Sequence, residues 1–509
     1  MAKYILAHDL GTSGNKATLY DVSGRLVGSK TYHYGISYVG DNGVEQDPED
    51  WWTAVQKTTK ALTAKIDPKD ILAVSFSGQM MGCTFVDKRG RALRPSMIWA
   101  DMRSTGEVKK IATRISDYDF YHVTGHRNSA SYGAQKLMWI KEHEPSVYRN
   151  TYKVLNAKDF ITLRLTGKFV TDYSDASSTN VFDLNKFEWS SRLADAMDLD
   201  LDKFPTLHAS TDVVGYVTKE AANKTGLVAD TPVVCGGGDG VCAAVGTDSV
   251  REGTAHCSLG TSSWVSVTTR KPVFDKDMKT FNWAHIVPGH ILPTGTMQSG
   301  GGAYAWFVEN VIKQVTPGVA DDVLYKMLED KIQQSPIGAK GLIFLPYLMG
   351  ERSPRWNPDA RASFIGLTMK HEFGDMLRSI QEGVAMNLNI ILQTFQNLNV
   401  DVQQMVAIGG GVRSAQWCQT LANVFETPIM TPKNLDLATS KGAVITGAVG
   451  VGALPDFNSA SGFFQMDRTY TPDTRSATKY QKLTTVFNQA YDQLIPVFDS
   501  LHNLDLEAH

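Results

Sequence analysis

Cysteine is scarce: five residues in 509, Cys83, Cys235, Cys242, Cys257 and Cys418. The number is odd and no two stand at a Cys-x-x-Cys spacing, which excludes a dense disulfide scaffold and a paired-cysteine metal or redox motif. Reduced, buried thiols in a cytoplasmic protein are the expectation. An excess of charge of one sign is missing too. Lys and Arg number 50 against 53 Asp and Glu, a formal charge of −3. That balance gives no bulk field for a polyanion, so no nucleic-acid partner is expected. Long apolar runs are absent: the longest uncharged one, Gly442 to Leu454, is Gly-rich and well short of the ~20 residues of a membrane span. The opening MAKYILAHDLG is too short in apolar residues for a signal-peptide core. No membrane partner is expected.

Hydrophobic residues at 42% and charged residues at 20% are near globular averages, with no low-complexity tract. At roughly 100–200 residues per domain, the length implies two or more cores. Tyr4 to Ala7 reads as a strand ending at Asp9-Leu10-Gly11-Thr12-Ser13-Gly14, with a second strand from Lys16 to Asp21. Asp47 then caps a helix with Pro48 at its first position, and Trp52, Val55, Leu62 and Ile66 recur near a 3.6-residue period. Ile71 to Phe76 is a short strand running into the loop Ser77-Gly78-Gln79-Met80-Met81-Gly82. Met405 to Ile408 runs into Gly409-Gly410-Gly411 and a helix beginning near Ser414. Asp375 to Leu398 and about Lys479 to Leu501 read as long helices, the last packing on the second half. Strands alternating with helices favour an α/β class with ligands at strand C-terminal ends.

The tetrapeptide Leu10-Gly11-Thr12-Ser13 recurs 249 residues later as Leu259-Gly260-Thr261-Ser262, again beside β-like text, Trp264 to Val267. Chance can produce four matching residues. The alternative is two related lobes, each presenting a Gly-Thr-Ser turn, since the spacing is far longer than a solenoid period. Such turns bring backbone N–H groups and short hydroxyls to one point and suit phosphate oxygens. No Gly-x-x-x-x-Gly-Lys-Ser/Thr is present, which sets the P-loop class aside. Asp9 precedes the first turn and Lys16 follows it. A carboxylate there would repel phosphate unless a cation intervened, which points to Mg²⁺; the competing reading is an Asp that caps its own turn.

Cys235-Gly236-Gly237-Gly238-Asp239-Gly240 follows the strand Pro232 to Val234. Three glycines clear side chains from one carboxylate, and the small residues from Gly240 to Gly246 permit close packing. In a phosphate-handling protein Asp239 is a candidate general base; otherwise it holds its own backbone in a turn. Gly409 to Gly411 before a helix could place a nucleotide at the helix N-terminus, or make only a tight turn.

In this order the motifs resemble the FGGY carbohydrate kinases, a branch of the actin, Hsp70 and hexokinase superfamily. The resemblance covers almost the whole chain. It rests on Asp9 to Ser13 with Lys16, Glu45-Gln46-Asp47-Pro48 with Trp51-Trp52, Gly78 to Gly82, Trp99-Ala100-Asp101-Met102-Arg103, Gly236 to Asp239, Leu259 to Ser262, Gly350-Glu351-Arg352-Ser353-Pro354, Ile365-Gly366-Leu367 to Glu382, and Gly409 to Ser414. The family signature around Lys136 and Trp139 is only partly matched, with Gly133 where Pro, Ser or Thr is usual, a departure expected to touch a peripheral helix. The resemblance implies two ribonuclease-H-like lobes, 1–247 and 248–509, with an ATP and sugar cleft between them. It implies phosphoryl transfer from ATP to a sugar hydroxyl, with Asp9 organising Mg²⁺ and Asp239 as base. Gly11, Thr12, Ser13 and Lys16 would meet ATP phosphates from one lobe, and Gly260 and Thr261 from the other. Gly300, Gly301, Gly409, Gly410, Gly411 and Ser414 would line the adenosine side.

Gln79, Met80, Met81, Trp99 and Asp101, with Asp239, would face the acceptor; the structural alternative for Trp99 and Asp101 is a buried aromatic and a local cap. The loop looks most like that of xylulokinases, Gly-Gln-Met-His-Gly, with Met81 where they carry His. That exchange removes a directional hydrogen-bonding group and leaves an adaptable apolar wall. Xylulose or another ketopentose is the first expectation, other ketoses, polyols and gluconate the alternatives; glycerol is disfavoured because the loop lacks Arg-Glu. Of another class is an actin- or Hsp70-like ATPase coupled to a protein partner, and a sugar sensor without catalysis is a third reading. Oligomeric state is left open, a homodimer included.

Overall fold

A computed structural model describes residues 3–504. In the first sheet, β1 (Tyr4–Leu10) pairs antiparallel with β2 (Gly14–Asp21), which pairs with β3 (Leu26–His33). On its other side β1 runs parallel to β4 (Ile71–Gly78). The sheet is completed by β5 (Val213–Tyr216), β6 (Pro232–Val234) and the two-residue β7 (Gly237–Gly238), in the order β5-β6-β4-β1-β2-β3 with β7 on β4.

The second sheet repeats that plan. Its central strand β8 (Thr254–Leu259) pairs antiparallel with β9 (Ser263–Val267), and beyond that lie β10 (Phe281–Ala284) and β11 (Ile291–Met297). On the other side β8 runs parallel to β12 (Gln404–Ile408), followed by β13 (Ile429–Pro432) and the antiparallel β14 (Met466–Tyr470). The order is β10-β11-β9-β8-β12-β13-β14. Each Leu-Gly-Thr-Ser therefore joins a central strand to its antiparallel neighbour at the same place in each sheet. The sequence repeat is structural.

Ile5, Leu6 and Ala7 have no exposed surface, because β1 is covered on both faces. The period of two sorts them. Leu6 and Leu10 meet Trp51, Trp52, Val55 and Leu62 of α1 (Pro48–Thr63), whose Asp47 cap accepts from Glu49 N at 2.9 Å. Further along this half come α2 (Gly133–His143), α3 (Ala157–Thr166), the short α4 (Tyr173–Ser177) and α5 (Asp239–Gly246). The second sheet carries α6 (Gly301–Phe307), α7 (Asp321–Gln334), α8 (Phe373–Asn397) and α9 (Ala415–Phe425) over one face, with α10 (Ala438–Gly450) and the terminal α11 (Thr474–His502) after them. The expected terminal helix packs on this half through Tyr480, Phe487, Tyr491 and Phe498.

Ile5 and Ala7 face the other way, against Val444, Ile445 and Ala448 of α10, a helix from near the end of the chain. It lies along α5, and glycine permits the approach. A Cβ at Gly246 would stand 1.8 Å from Ala438 O, and one at Gly442 would stand 1.9 Å from Cys242 O. Ala243 and Ala438 in turn reach Val406 and Ile408 of the second sheet. The α5–α10 pair is thus the packed joint between two sheets that separate, along the chain, between residues 238 and 254. Among the described residues no helix is long and apolar enough to cross a membrane. All five cysteines are free and buried.

Candidate active site

The first Gly-Thr-Ser turn closes on itself, Gly11 N–H donating to Gly14 O at 3.0 Å, so Asp9 is not needed as its cap. Asp9 Oδ2 instead accepts from Thr439 Oγ1 of α10 at 2.6 Å. Asp9 and Lys16 stand opposite each other in the β1–β2 register, and Lys16 Nζ donates to Asp436 O at 2.7 Å. The turn is held from behind. Trp99 Nε1 donates to Thr12 Oγ1 at 3.0 Å, and Gln46 Nε2 donates to Thr12 O at 2.7 Å.

Asp239 opens α5, directly after β7. Its Oδ1 accepts from Gly240 N at 2.7 Å, so it does hold its own backbone. It also feels the charge of Asp9, which lies at the same end of the same sheet. Burial, reinforced by the Asp9 charge, pushes its carboxyl up to about 7. The three preceding glycines serve the strand as much as the carboxylate. A Cβ at Gly236 (φ +73°) would lie 2.2 Å from Phe76 O, at Gly237 2.7 Å from Ile286 Cδ1, and at Gly238 2.4 Å from Met80 Sδ. The Asp9 carboxylate offers hard oxygen atoms, the donor type that suits Mg²⁺.

The acceptor residues divide. Met81 and Trp99 keep accessible surface beside the cleft. Asp101 does not: it has no exposed surface, and its carboxylate accepts from Val44 N at 2.9 Å and from Arg103 Nη2 at 2.6 Å. It belongs to a buried ion cluster with Glu45 and Arg103 and cannot touch an acceptor. Met80 is 5% exposed and packs under Gly238. Gln79, 2% exposed, gives its Nε2 to Gln46 Oε1 at 2.7 Å, so it braces the first turn; its Oε1 has no hydrogen-bond partner among the described residues. Nor is α2 peripheral. Lys136 is fully buried and donates to Met81 O at 2.8 Å, Ile98 O at 2.7 Å and Ser131 O at 2.7 Å, fixing the loop that carries Met81. Desolvation lowers this amine to about 8.

On the second sheet lies a cavity of about 770 Å³ lined by Gly260, Thr261, Gly301, Gly410, Gly411 and Ser414, all anticipated from sequence. Gly300 and Gly409 shape it from outside the lining: a Cβ at Gly300 would fall 1.8 Å from Ser263 Oγ, and Gly409 has φ +93° against Leu259. Sequence reasoning missed its aromatic wall of Tyr304, Tyr325 and Trp417, and Gln381, whose buried Oε1 has no partner among the described residues. It also missed Glu329, which accepts from Ser414 Oγ at 2.7 Å and Gln416 N at 3.0 Å and so fixes the start of α9. These residues come from four helices, α6 to α9, with no local motif to join them.

Twin sheets with a glycine turn on each central strand, two carboxylates at one end of the first sheet, and an aromatic-walled cavity on one side define a two-lobed phosphotransferase. Residues 4–246 match the N-terminal domain, and residues 255–451 the C-terminal domain, of the FGGY family of carbohydrate kinases, and the chain belongs to that family. It is 30% identical over 495 residues to the xylulose kinase of Bacillus subtilis, covering 96% of this chain and 97% of that one. It is likewise 30% identical over 492 residues to the gluconokinase of that organism, covering 96% and 95%. The fold is similar to that of a ligand-bound xylulose kinase from Lactobacillus acidophilus, with a TM-score of 0.91, 29% identity, and coverage of 98% of this chain and 100% of that one. The protein is therefore an ATP-dependent sugar kinase, and the readings as a protein-coupled ATPase or a sensor without catalysis are set aside.

Proposed function

We propose that this kinase transfers the γ-phosphoryl group of ATP to a hydroxyl of a ketopentose, xylulose first. The observation that carries the chemistry is Asp239: a carboxylate at the mouth of the cleft, under the charge of Asp9 and held near pH 7, is poised to take the proton of an attacking hydroxyl. The aromatic-walled cavity takes the adenosine, with Gly260 and Thr261 at the phosphates. The Gly11–Ser13 turn, braced by Trp99 and Gln46, meets the transferred group from the other lobe. Asp9, oriented by the Thr439 hydroxyl, would hold Mg²⁺, which neutralises phosphate charge when bound. Closure about the α5–α10 joint excludes water as a competing acceptor. A cytoplasmic setting, where ATP and small sugars meet, fits this reading.

Xylulose is supported by the similarity to xylulose kinases and by the retained Gly-Gln-Met of the acceptor loop. One observation favours gluconate as the second reading. Arg352 acts electrostatically on the buried His126, Tyr132 and neighbouring Glu351 but forms no ion pair within 4 Å among the described residues, which leaves its guanidinium available to an aldonate carboxylate. A coupled ADP-release assay over pentuloses, hexuloses, polyols and aldonates decides. Turnover with xylulose well above the sugar-free rate supports the first reading; turnover with gluconate and none with any ketopentose replaces it.

A further inference from the structure

Beneath the active site lies a buried charge cluster that the phosphoryl-transfer machinery does not include. Lys158 of α3 has no exposed surface, and its Nζ stands 2.7 Å from Asp159 Oδ1, 2.9 Å from Asp172 Oδ1 and 3.2 Å from Asp175 Oδ2. One cation among three carboxylates is not balanced. Burial raises Asp175 well above the usual carboxylate range and raises Asp159 too, while the carboxylates around Lys158 hold its amine above the usual lysine range in spite of burial.

Asp172 is the N-cap of α4 and accepts from Ser174 N at 2.9 Å, Ser174 Oγ at 2.6 Å and Ser210 Oγ at 2.8 Å. Because Ser174 gives its proton to Asp172, its lone pairs are free, and it accepts from Gly238 N at 2.9 Å. Gly238 is the residue before Asp239. The same short helix reaches two further parts of the cleft: Ser178 Oγ, just past its end, accepts from Met81 N at 3.1 Å, and Ser177 Oγ accepts from Ala284 N of the second sheet at 3.2 Å.

We propose that Ser174 is a positioning residue for Asp239: the chain Lys158, Asp172, Ser174, Gly238 ties the base to a rigid buried anchor, and α4 sets the acceptor loop from the same anchor. The inference rests on Asp239 being the base. An unbonded Gly238 N–H in this dry pocket would let β7 shift, and a displacement near 1 Å at a reacting group costs about 10²-fold in rate.

Two substitutions separate positioning from plain stability. Ser174→Ala and Ser210→Ala each remove one donor to Asp172, but only the first frees Gly238. With ATP and either xylulose or gluconate as acceptor, Ser174→Ala should lower kcat about 10²-fold with the KM for ATP unchanged. Ser210→Ala should lower the melting temperature comparably and leave kcat within about threefold. Ser174→Cys, near-isosteric with a poorer acceptor, should fall between wild type and Ala, and it keeps the test usable if the Ala variant does not fold. Amide exchange of the segment 235–242, followed by mass spectrometry with no acceptor present, should quicken in Ser174→Ala and not in Ser210→Ala. Equal losses of kcat in the two Ala variants, or unchanged exchange in Ser174→Ala, would overturn the proposal. Its failure differs from failure of the base assignment, which would show as turnover surviving in Asp239→Asn.

Discussion

Thr439 donates its hydroxyl hydrogen bond to Asp9 at 2.6 Å, across 430 positions of sequence, and so joins the start of α10 to the carboxylate that heads the first phosphate turn. Asp436, three residues earlier, takes Lys16 Nζ on its carbonyl and Arg413 Nη2 on its carboxylate, each at 2.7 Å. Arg413 lines the aromatic-walled cavity on the second sheet. One segment, 436–439, therefore ties Asp9 and Lys16 beside the first Gly-Thr-Ser turn to a residue that lines the cavity on the second sheet.

Thr439→Val keeps the shape of the side chain and removes that donor. Asp9 loses its orientation while its charge remains, so the expected effect is on metal use. The Mg²⁺ concentration needed for half-maximal activity should rise several-fold, with kcat at saturating Mg²⁺ falling less than about tenfold, in line with one hydrogen bond to a charged group. A Mg²⁺ titration identical to wild type would leave Thr439 without a role.

Asp239→Asn removes the base and should cost 10²–10⁴-fold in kcat, an order-of-magnitude range for general base catalysis, while ATP still binds. Because the carboxyl is raised to about 7 and works ionised, wild-type kcat should climb as pH rises through 7 and level off above it. The stability sign is opposite. A raised folded-state pKa favours the fold at low pH, and that advantage is lost as pH rises through 7. The Asn variant should therefore melt higher than wild type at pH 8, a cheap check by thermal scan.

Gly409 has φ +93°, and a Cβ there would sit 2.8 Å from Leu259 O, at the start of the second Gly-Thr-Ser turn. Gly409→Ala should cost more than about 1 kcal/mol of stability and displace Gly260 from the cavity. Raised KM for ATP, with KM for the sugar little changed, is the expected kinetic signature; a reversed pattern would place the turn outside the nucleotide site.

Much of this site was legible because its pieces are local. Asp47-Pro48 starts α1, Gly409 to Ser414 starts α9, and both Gly-Thr-Ser turns follow central strands, as backbone geometry requires of those residues. Position in the cleft was not local. Asp101 reads as a polar loop residue, yet Glu45 and Arg103, distant and near in sequence, enclose it. Nothing in the sequence around Lys136 or Lys158 marks it as buried, and only the tertiary fold brings three carbonyls to one and three carboxylates to the other. The placing of α10 against the first sheet depends on Gly246 and Gly442 meeting across nearly 200 residues, which no periodicity within either helix announces.

Met81 sits at φ +63°, a conformation His also tolerates, with its carbonyl and N–H fixed by Lys136 and Ser178. Met81→His should therefore restore a directional partner without moving the loop. The KM for xylulose should fall several-fold, with no change for ATP. A rise for every acceptor would mean that this chain's pocket is built around the thioether.

Acid stability follows from the buried histidines, four of them above all. Burial lowers His8 to about 4 and His126, His256 and His285 to about 3. Two have a ring nitrogen that must stay unprotonated: His256 Nε2 accepts from Trp264 Nε1 at 3.2 Å, and His285 Nδ1 accepts from Val287 N at 2.9 Å. A depressed folded-state pKa means that stability is whole above the unfolded value near 6.5 and drains away as pH falls toward the folded one. At pH 5 each histidine withdraws on the order of 2 kcal/mol. Buried carboxyls act in the opposite sense: Glu351, raised to about 8 by desolvation, and Asp239 lose their contribution as pH climbs. The two trends cross between about pH 6.5 and 7, where the melting temperature should peak. His256→Gln, which retains an acceptor and cannot be protonated, should flatten the acid side by one histidine's share. A melting temperature constant from pH 5 to 7 would contradict the neutral, buried state assigned to all four rings.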